Sequence, residues 1–180
     1  MAVLATIRNL FAASVTPAAE TEERVAPAPP GSYAVRPLTE KRSKEVLQLN
    51  MRCFRDGENY TKYTFAYLFS EPRALSYQAV TEDGAMAAYM FVLVQDDGVA
   101  HLTTIGVAPE HRRRGIAEML LRHLEAVLKS KGVSTIVLEV RVKNVPAQML
   151  YVRNGYATVK RIPKYYTDGE DCFMMVKSLL

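Results

Sequence analysis

Cysteine and tryptophan are scarce in this sequence of 180 residues, which contains two cysteines and no tryptophan. Cys53 and Cys172 are far apart and form no Cys-x-x-Cys pair, so their spacing favours neither a zinc site nor a disulfide framework. We expect two reduced thiols in a cytoplasmic protein without a bound metal. A run of about 18 apolar residues is also missing, so we expect no membrane-spanning helix.

The composition is that of a globular protein, with 49% hydrophobic and 23% charged residues. The length is sufficient for one α/β domain with a buried core. The net charge of +4 is compatible with a polyanionic ligand. Such a small excess of positive charge, without a long basic cluster, does not predict direct binding of nucleic acid.

The N-terminal part differs in composition from the rest. Residues 16–32 are rich in alanine, glutamate and proline and cannot bury a core, which is typical of a flexible linker. Residues 1–15 are apolar, but Arg8 interrupts the run, which argues against a secretion signal. We therefore predict a flexible N-terminal extension over residues 1–32 and one folded domain over residues 33–180.

The hydrophobic periodicity predicts the element order β-α-α-β-β-β-α-β-α-β-β. Thr39 is placed to cap the first helix. The side chains predicted to face inward on this helix are Val46, Leu47 and Met51. A long helix joins the fourth strand to the fifth, and such a crossover makes these two strands parallel. We therefore predict an α/β protein with a mixed, mostly antiparallel twisted sheet, a central parallel pair and helices on both faces.

The strand that ends at Val107 is followed by a short polar turn and by Arg112-Arg-Arg-Gly-Ile-Ala117, which opens the long helix. The first turn of a helix has unpaired backbone N–H groups at its positive end, and such an end binds phosphate readily. The three arginines add positive charge, while Gly115 and Ala117 let the backbone approach a ligand closely. The pattern predicts a phosphate-binding loop at the start of this helix.

The strand Ile136-Val-Leu-Glu-Val-Arg-Val142 places a glutamate among apolar residues. Glu139 and Arg141 share one face of the strand, and the other face is apolar. A carboxylate in this position is costly unless it is paired or faces a cleft, where it is suited to act as a general base. Two interpretations remain open: Glu139 is a general base, or it forms an ion pair with Arg141 on a solvated face.

A short helix follows this strand and carries two further candidates. Tyr151 lies one turn after Ala147 on the helix, and its spacing alone indicates a core residue more readily than a proton donor. Asn144 precedes the helix and is placed to act as its N-cap.

These residues resemble a known family. The order Arg-x-x-Gly-x-Ala at Arg112, Gly115 and Ala117 resembles the coenzyme A pyrophosphate loop of the GNAT N-acetyltransferases, in which glycine is commoner at the last position. The stretch over residues 138–151 resembles the RimI-type ribosomal-protein N-terminal acetyltransferases. The element order over residues 33–179 also resembles the GNAT fold.

The resemblance implies a role for each candidate. In RimI-type enzymes the residue matching Glu139 accepts a proton, the one matching Tyr151 protonates the leaving coenzyme A thiolate, and the one matching Asn144 contacts the cofactor. The strand before the loop binds the pantetheine arm and acetyl group through its backbone, and no metal is required. The residues implied to bind acetyl-CoA are Ile105, Gly106, Val107, Arg112, Arg113, Arg114, Gly115, Ile116, Ala117, Glu118 and Asn144.

A second resemblance concerns the substrate. Residues 58–60 are similar to the peptide-binding loop in the catalytic subunits of eukaryotic and archaeal N-terminal acetyltransferases, and residues 163–171 are similar to the facing loop. His101 matches a histidine that some of these enzymes use near the amine, so His101 and Glu58 compete with Glu139 for the role of base. The alternative interpretation is that His101 is an ordinary histidine at the end of a strand. The implied substrate-binding residues are Glu58, Asn59, Tyr60, His101, Tyr165 and Tyr166.

The resemblance implies transfer of an acetyl group from acetyl-CoA to the N-terminal α-amine of a protein, either a ribosomal protein or a nascent chain. An α-amine has a pKa of about 7.7–8.0, against about 10.4 for lysine, so it needs less help from a base. The alternatives are a GNAT enzyme that acts on a small amine or an internal lysine, and a coenzyme A-binding scaffold without activity. We expect a monomer or a loosely associated oligomer.

Overall fold

The computed structural model describes residues 25–54 and 59–180. Seven strands in this part of the chain form one sheet, in the order β1-β2-β3-β4-β5-β7-β6. Neighbouring strands are antiparallel except for β4 and β5, which are parallel. The strands are β1 (Ala34–Pro37), β2 (Ala74–Val80), β3 (Met86–Val94), β4 (Val99–Val107), β5 (Thr135–Arg141), β6 (Ala157–Ile162) and β7 (Cys172–Ser178).

The helices cover both faces of the sheet, which confirms the predicted fold class. One hydrophobic core contains Phe65, Tyr89 and Phe91 and lies under α1 and α2. The other contains Leu120 and Tyr151 and lies under α3 and α4. The helices are α1 (Ser43–Cys53), α2 (Lys62–Ser70), α3 (Ile116–Ser130) and α4 (Val145–Arg153), and short 3-10 turns span Glu40–Arg42 and Pro109–His111.

Helix α3 connects the two parallel strands as its sequence predicts. Leu120, Leu124 and Leu128 recur at helical spacing and are fully buried, and each contributes about 1.5–3 kcal/mol by leaving water. The chain after the helix reverses at Gly132, whose φ of 72° lies in the left-handed region. The helix therefore packs back on the sheet and sets the parallel order of β4 and β5.

Helix α1 differs from its prediction at two points. The Thr39 side chain forms no capping hydrogen bond, because the 3-10 turn at Glu40–Arg42 intervenes before the α-helix. Met51, predicted to face inward, is 57% exposed, whereas Asn50 is buried. The Asn50 side chain accepts a hydrogen bond from the Tyr89 hydroxyl at 2.9 Å, which satisfies a polar group inside the core.

The sheet opens in its centre, between β4 and β5. The two strands pair only where residues 99–101 lie beside residues 135–137. On the other side of β4, Phe91 pairs with Thr104 and Val92 with Leu102, so Thr103 is an extra residue in a β-bulge. A bulge bends its strand and increases the local twist. The C-terminal half of β4 therefore leaves β5, and the site lies where the two strands part.

Candidate active site

A buried pair of side chains lies at the point where β4 and β5 separate. His101 is the last residue of β4 that pairs with β5, and Glu139 lies two residues beyond its partner, on the same face. His101 Nε2 is 2.7 Å from Glu139 Oε2, and the two side chains are 3% and 6% exposed. Glu139 Oε1 is also buried and has no hydrogen-bond partner among the described residues. The fold thus holds one carboxylate oxygen through His101, while the other has no partner in the described part of the chain.

The alternative prediction, an ion pair between Glu139 and Arg141, is wrong. Arg141 Nη1 lies instead 2.8 Å from Asp168 Oδ2 and 2.6 Å from Glu170 Oε2. Both acidic residues belong to the loop between β6 and β7, which attracts the guanidinium away from Glu139. His101, which sequence spacing alone left as an ordinary strand-end residue, is the partner of Glu139.

The predicted pantetheine strand forms one edge of the opening. Ile105, Gly106 and Val107 pair with β3 on one side only, so the backbone groups of the other edge face the gap. A Cβ atom at Gly106 would lie 2.7 Å from a ring carbon of Tyr89, so this position requires glycine. An extended ligand can form backbone hydrogen bonds along such a free strand edge.

The predicted phosphate loop connects this strand to α3. Two of its residues have left-handed backbone conformations, Arg113 with a φ of 63° and Gly115 with a φ of 74°. A non-glycine residue in this region is strained, and such strain is often found at ligand sites. The chain enters α3 at Ile116, so the N–H groups of Ile116, Ala117 and Glu118 lack partners within the helix. The geometry suits an anion.

The three arginines of this loop have different surroundings. Arg112 Nε donates to the Val107 carbonyl at 3.3 Å, and Arg113 is exposed. Arg114 instead donates to the carbonyl of Pro29 at 2.7 Å, and to the carbonyl of Ala28. Arg114 therefore offers a ligand its backbone, while its side chain holds residues at the end of the predicted extension. The boundary of that extension stays a prediction.

Helix α4 brings Asn144 and Tyr151 to the opposite face of the sheet from Glu139. Asn144 caps the helix, since its side chain accepts a hydrogen bond from the Ala147 N–H at 3.2 Å. Tyr151 is buried, with its ring 5.6 Å from that of Tyr156. Burial raises the pKa of Tyr151, so its hydroxyl keeps its proton at neutral pH. Tyr151 is thus a core residue with a protonated hydroxyl, on the opposite face of the sheet from Glu139.

The first predicted peptide loop is partly described. Glu58 lies outside the described residues, so its role stays a prediction. Asn59 Oδ1 accepts a hydrogen bond from Asn50 Nδ2 at 3.2 Å. Tyr60 is buried, and its hydroxyl donates to the carbonyl of Thr103 at 3.1 Å. Because Thr103 is the bulged residue, Tyr60 stabilises the bend that opens the sheet.

The second predicted peptide loop carries Tyr165 and Tyr166 between β6 and β7. Both side chains are half-buried, and their rings meet edge to face with centroids 5.0 Å apart. The guanidinium of Arg141 lies 4.0 Å above the centre of the Tyr166 ring. The structure therefore links this loop (residues 163–171, here called the tyrosine loop) to the strand that carries Glu139.

Two residues near the opening were missed by sequence reasoning. Cys53 Sγ donates to the Val107 carbonyl at 3.3 Å, and burial raises the pKa of this thiol to about 11. No sequence signal indicates this contact. The position of Arg141 carried a signal, since a basic residue at the end of β5 and an acidic loop near residue 170 can pair.

Two negative observations apply to the described ranges, residues 25–54 and 59–180. They contain no group of three or more histidine, cysteine, aspartate or glutamate side chains that could hold a metal ion. None of the helices in these ranges has both the length and the apolar character needed to cross a membrane.

Several known proteins are similar to this chain in sequence. The ribosomal protein bS18-alanine N-acetyltransferase of Escherichia coli is 40% identical over 121 residues, which cover 64% of this chain and 78% of that protein. N-alpha-acetyltransferase 30 of Schizosaccharomyces pombe is 28% identical over 143 residues, or 78% of this chain and 94% of that protein. An uncharacterized N-acetyltransferase of Methanocaldococcus jannaschii is 42% identical over 96 residues, and the match spans 53% of this chain and 61% of that protein.

Solved structures of N-acetyltransferases are also similar to this chain. The crystal structure of the ribosomal-protein-S18-alanine N-acetyltransferase from Escherichia coli matches with a TM-score of 0.75 and 30% identity, over 82% of this chain and 94% of that chain. Ard1 from Thermoplasma volcanium has the same TM-score of 0.75 at 19% identity, which supports the fold alone. Residues 43–156, more than half of the chain, match the Acetyltransferase (GNAT) family. These matches, together with the opened sheet, show that the chain belongs to the GNAT family and is an N-acetyltransferase.

Proposed function

We propose that this enzyme transfers an acetyl group from acetyl-CoA to the N-terminal α-amine of a protein. The observation that carries the proposal is the buried pair of His101 and Glu139, whose free carboxylate oxygen lies where the sheet opens. The relatives named for alanine N-acetylation of a ribosomal protein and for N-alpha-acetylation support a protein terminus as the acceptor. A ribosomal protein or a nascent chain is the proposed partner, in the cytoplasm.

The residues around the opening fit acetyl-CoA. The N–H groups at the start of α3 and the exposed side chain of Arg113 would hold the phosphates. The free edge of β4 at Ile105–Val107 would bind the pantetheine amides, and Asn144 lies at the other side of the gap. When bound, acetyl-CoA supplies an acetyl group already activated as a thioester.

Proton transfer is assigned to residues on both faces of the sheet. Glu139 Oε1 accepts a proton from the incoming ammonium, directly or through a water molecule, while His101 keeps the carboxylate in place. An α-amine needs little assistance because its pKa of about 7.7–8.0 is close to neutral. Backbone N–H groups near Ile105 stabilise the developing oxyanion. Tyr151, whose hydroxyl is protonated, donates a proton to the departing sulfur.

The tyrosine loop restricts the acceptor. Tyr165 and Tyr166 lie beside β5, on a loop joined to the end of that strand by Arg141. The two adjacent rings, packed edge to face, form an aromatic wall that suits an extended peptide, which can enter with its first residue toward Glu139. The free enzyme is proposed to be a monomer or a loosely associated oligomer.

The test is acetyl-CoA turnover, measured as free thiol, on peptides that differ only in their first residues and carry a free or a blocked N-terminus. We expect turnover only with the free terminus. Glu139→Gln and Tyr151→Phe should each lower kcat by about 10²–10⁴-fold. Tyr156→Phe is the matched control, because it removes a buried hydroxyl from the same core without a proposed chemical role. Acetylation of blocked peptides through lysine, or full activity in Tyr151→Phe, would contradict the proposal.

A further inference from the structure

We propose that Arg141 is a positioning residue that holds the tyrosine loop at the peptide groove and thereby sets the affinity for the acceptor peptide. This inference rests on the proposed function, because it assigns the wall of that same groove. Arg141 is the last residue of β5 and lies two residues after Glu139. Since side chains two residues apart in a strand share a face, Arg141 and Glu139 face the same side of the sheet, about 7 Å apart.

The guanidinium of Arg141 binds the loop in three ways. It forms charge-assisted hydrogen bonds with Asp168 at 2.8 Å and with Glu170 at 2.6 Å. Its central carbon also lies 4.0 Å from the centre of the Tyr166 ring, within the range of a cation–π contact. Both hydrogen bonds are donated by Nη1, so a lysine ammonium could replace them in part but could not reproduce the contact of a planar guanidinium with the Tyr166 ring.

The loop that Arg141 binds is itself compact. The Tyr166 N–H donates to the Glu170 carbonyl at 3.1 Å, and the Gly169 N–H donates to the Tyr166 carbonyl at 3.0 Å. Glu170 Oε1 accepts from the Lys143 N–H at 2.7 Å, which joins the same loop to the chain just after β5. Removal of the guanidinium would leave two neighbouring carboxylates without their shared cation, and their repulsion would displace Tyr166.

The surroundings of this ion pair distinguish it from surface pairs. The Arg141 side chain is 19% exposed, and that of Glu170 is 12% exposed. Arg161 offers a contrast, since it pairs with Asp171 in the same loop at 2.7 Å but is 61% exposed. Exposed pairs contribute little, whereas half-buried, charge-assisted hydrogen bonds fix the geometry of their partners. Arg141→Gln and Arg161→Gln therefore each remove one positive charge that pairs with the same loop, with different expected consequences.

The kinetic test compares these two variants on a free N-terminal peptide. We expect Arg141→Gln to raise the KM for the peptide about tenfold, which corresponds to about 1.4 kcal/mol, with little change in kcat or in the KM for acetyl-CoA. Arg161→Gln should leave all three values near those of the wild type, and Arg141→Lys should restore part of the lost affinity. In a Tyr166→Ala background, Arg141→Gln should add little, because both changes act through the same ring. A fall in kcat at unchanged KM, or an equal effect of Arg161→Gln, would overturn the proposal.

Hydrogen exchange gives a readout that does not depend on peptide turnover. We expect the loop amides of Tyr166 and Gly169 to exchange faster in Arg141→Gln than in the wild type or in Arg161→Gln. Unchanged exchange in Arg141→Gln would overturn the positioning role even if the enzyme acetylates peptides. Faster exchange combined with a wild-type enzyme that ignores free peptide termini would instead refute the proposed function while confirming that Arg141 holds the loop.

Discussion

The buried pair of His101 and Glu139 can be tested by a double-mutant cycle. The variants are His101→Ala, Glu139→Ala and the double variant, each compared with the wild type by the free energy of unfolding. Removing His101 leaves the Glu139 carboxylate buried with neither oxygen bonded to a described residue. Removing Glu139 leaves a buried imidazole without its acceptor. Both single variants are therefore expected to lose more stability than the side-chain contacts alone would contribute.

The geometry sets the expected size of the coupling. At the 2.7 Å separation of Nε2 and Oε2, two full charges would attract by about 6 kcal/mol at an effective dielectric constant of about 20, before the cost of desolvation. A neutral imidazole that donates to a carboxylate contributes about 1.5–3 kcal/mol net. We expect His101→Ala to cost about 3–5 kcal/mol, since it leaves an uncompensated buried charge. The loss of unfolding free energy in the double variant should be smaller than the summed losses of the two single variants, by about 1.5–3 kcal/mol.

Urea unfolding, followed by far-UV circular dichroism, measures all four proteins, and the slopes must agree for the energies to be compared. The pair of Glu118 and Arg122 is the matched control, because it is an ion pair with side chains 41% and 73% exposed. Its coupling should be below about 0.5 kcal/mol. Coupling between His101 and Glu139 no larger than this control would refute the idea that the fold preorganises the carboxylate through the histidine.

Two further predictions concern the strand edge at the opening. Gly106→Ala should destabilise the protein by about 1–3 kcal/mol in urea, because the new methyl group would lie 2.7 Å from the buried Tyr89 ring, and an unchanged midpoint would contradict this packing. The pKa of Cys53, raised to about 11 by burial, leaves about a thousandth of the thiol ionised at pH 8, against about a quarter for an ordinary thiol. Iodoacetamide labelling of Cys53 in the folded protein, measured by mass spectrometry, should therefore be roughly two-hundredfold slower than in urea. The pKa of Cys53 is higher in the folded protein than in the unfolded chain. This thiol therefore does not lower the free energy of unfolding below pH 8, and that free energy falls as the pH rises toward 11.

Local sequence patterns were sufficient to predict the architecture. The strand alternation around Glu139 and the apolar stripe of α3 each agree with the burial of their side chains. The crossover helix then required β4 and β5 to be parallel, and they are. Each of these inferences depends on periodicity or on connection length, which are properties of neighbouring residues in the chain. Met51 is the exception in α1, because Asn50 and Leu49, and not Met51, complete the buried face with Val46.

The role of the predicted phosphate loop stays a prediction, although its arginines and glycine do lie at the start of α3. Nothing local indicated that the Arg114 side chain binds the carbonyls of Ala28 and Pro29. His101 and Glu139 are 38 positions apart, and their contact depends on the register of a parallel pair that periodicity does not determine. The partners of Arg141 are also distant in the chain, since Asp168 and Glu170 follow after another helix and strand. Contacts between distant segments were therefore the part of the site that the sequence alone left open.

Under the proposed mechanism, the opening would let residues on opposite faces of the sheet act on one acceptor. Glu139 lies on the face covered by α1 and α2, while Tyr151 packs in the core on the other face. A continuous sheet would separate the two groups by its own backbone. Because pairing between β4 and β5 ends at His101, a ligand that lies in the gap can reach both. The bulge at Thr103, held by the Tyr60 hydroxyl, is what takes β4 away from β5. In the proposed mechanism Tyr60 therefore acts through the shape of the sheet, by holding the bulge at Thr103.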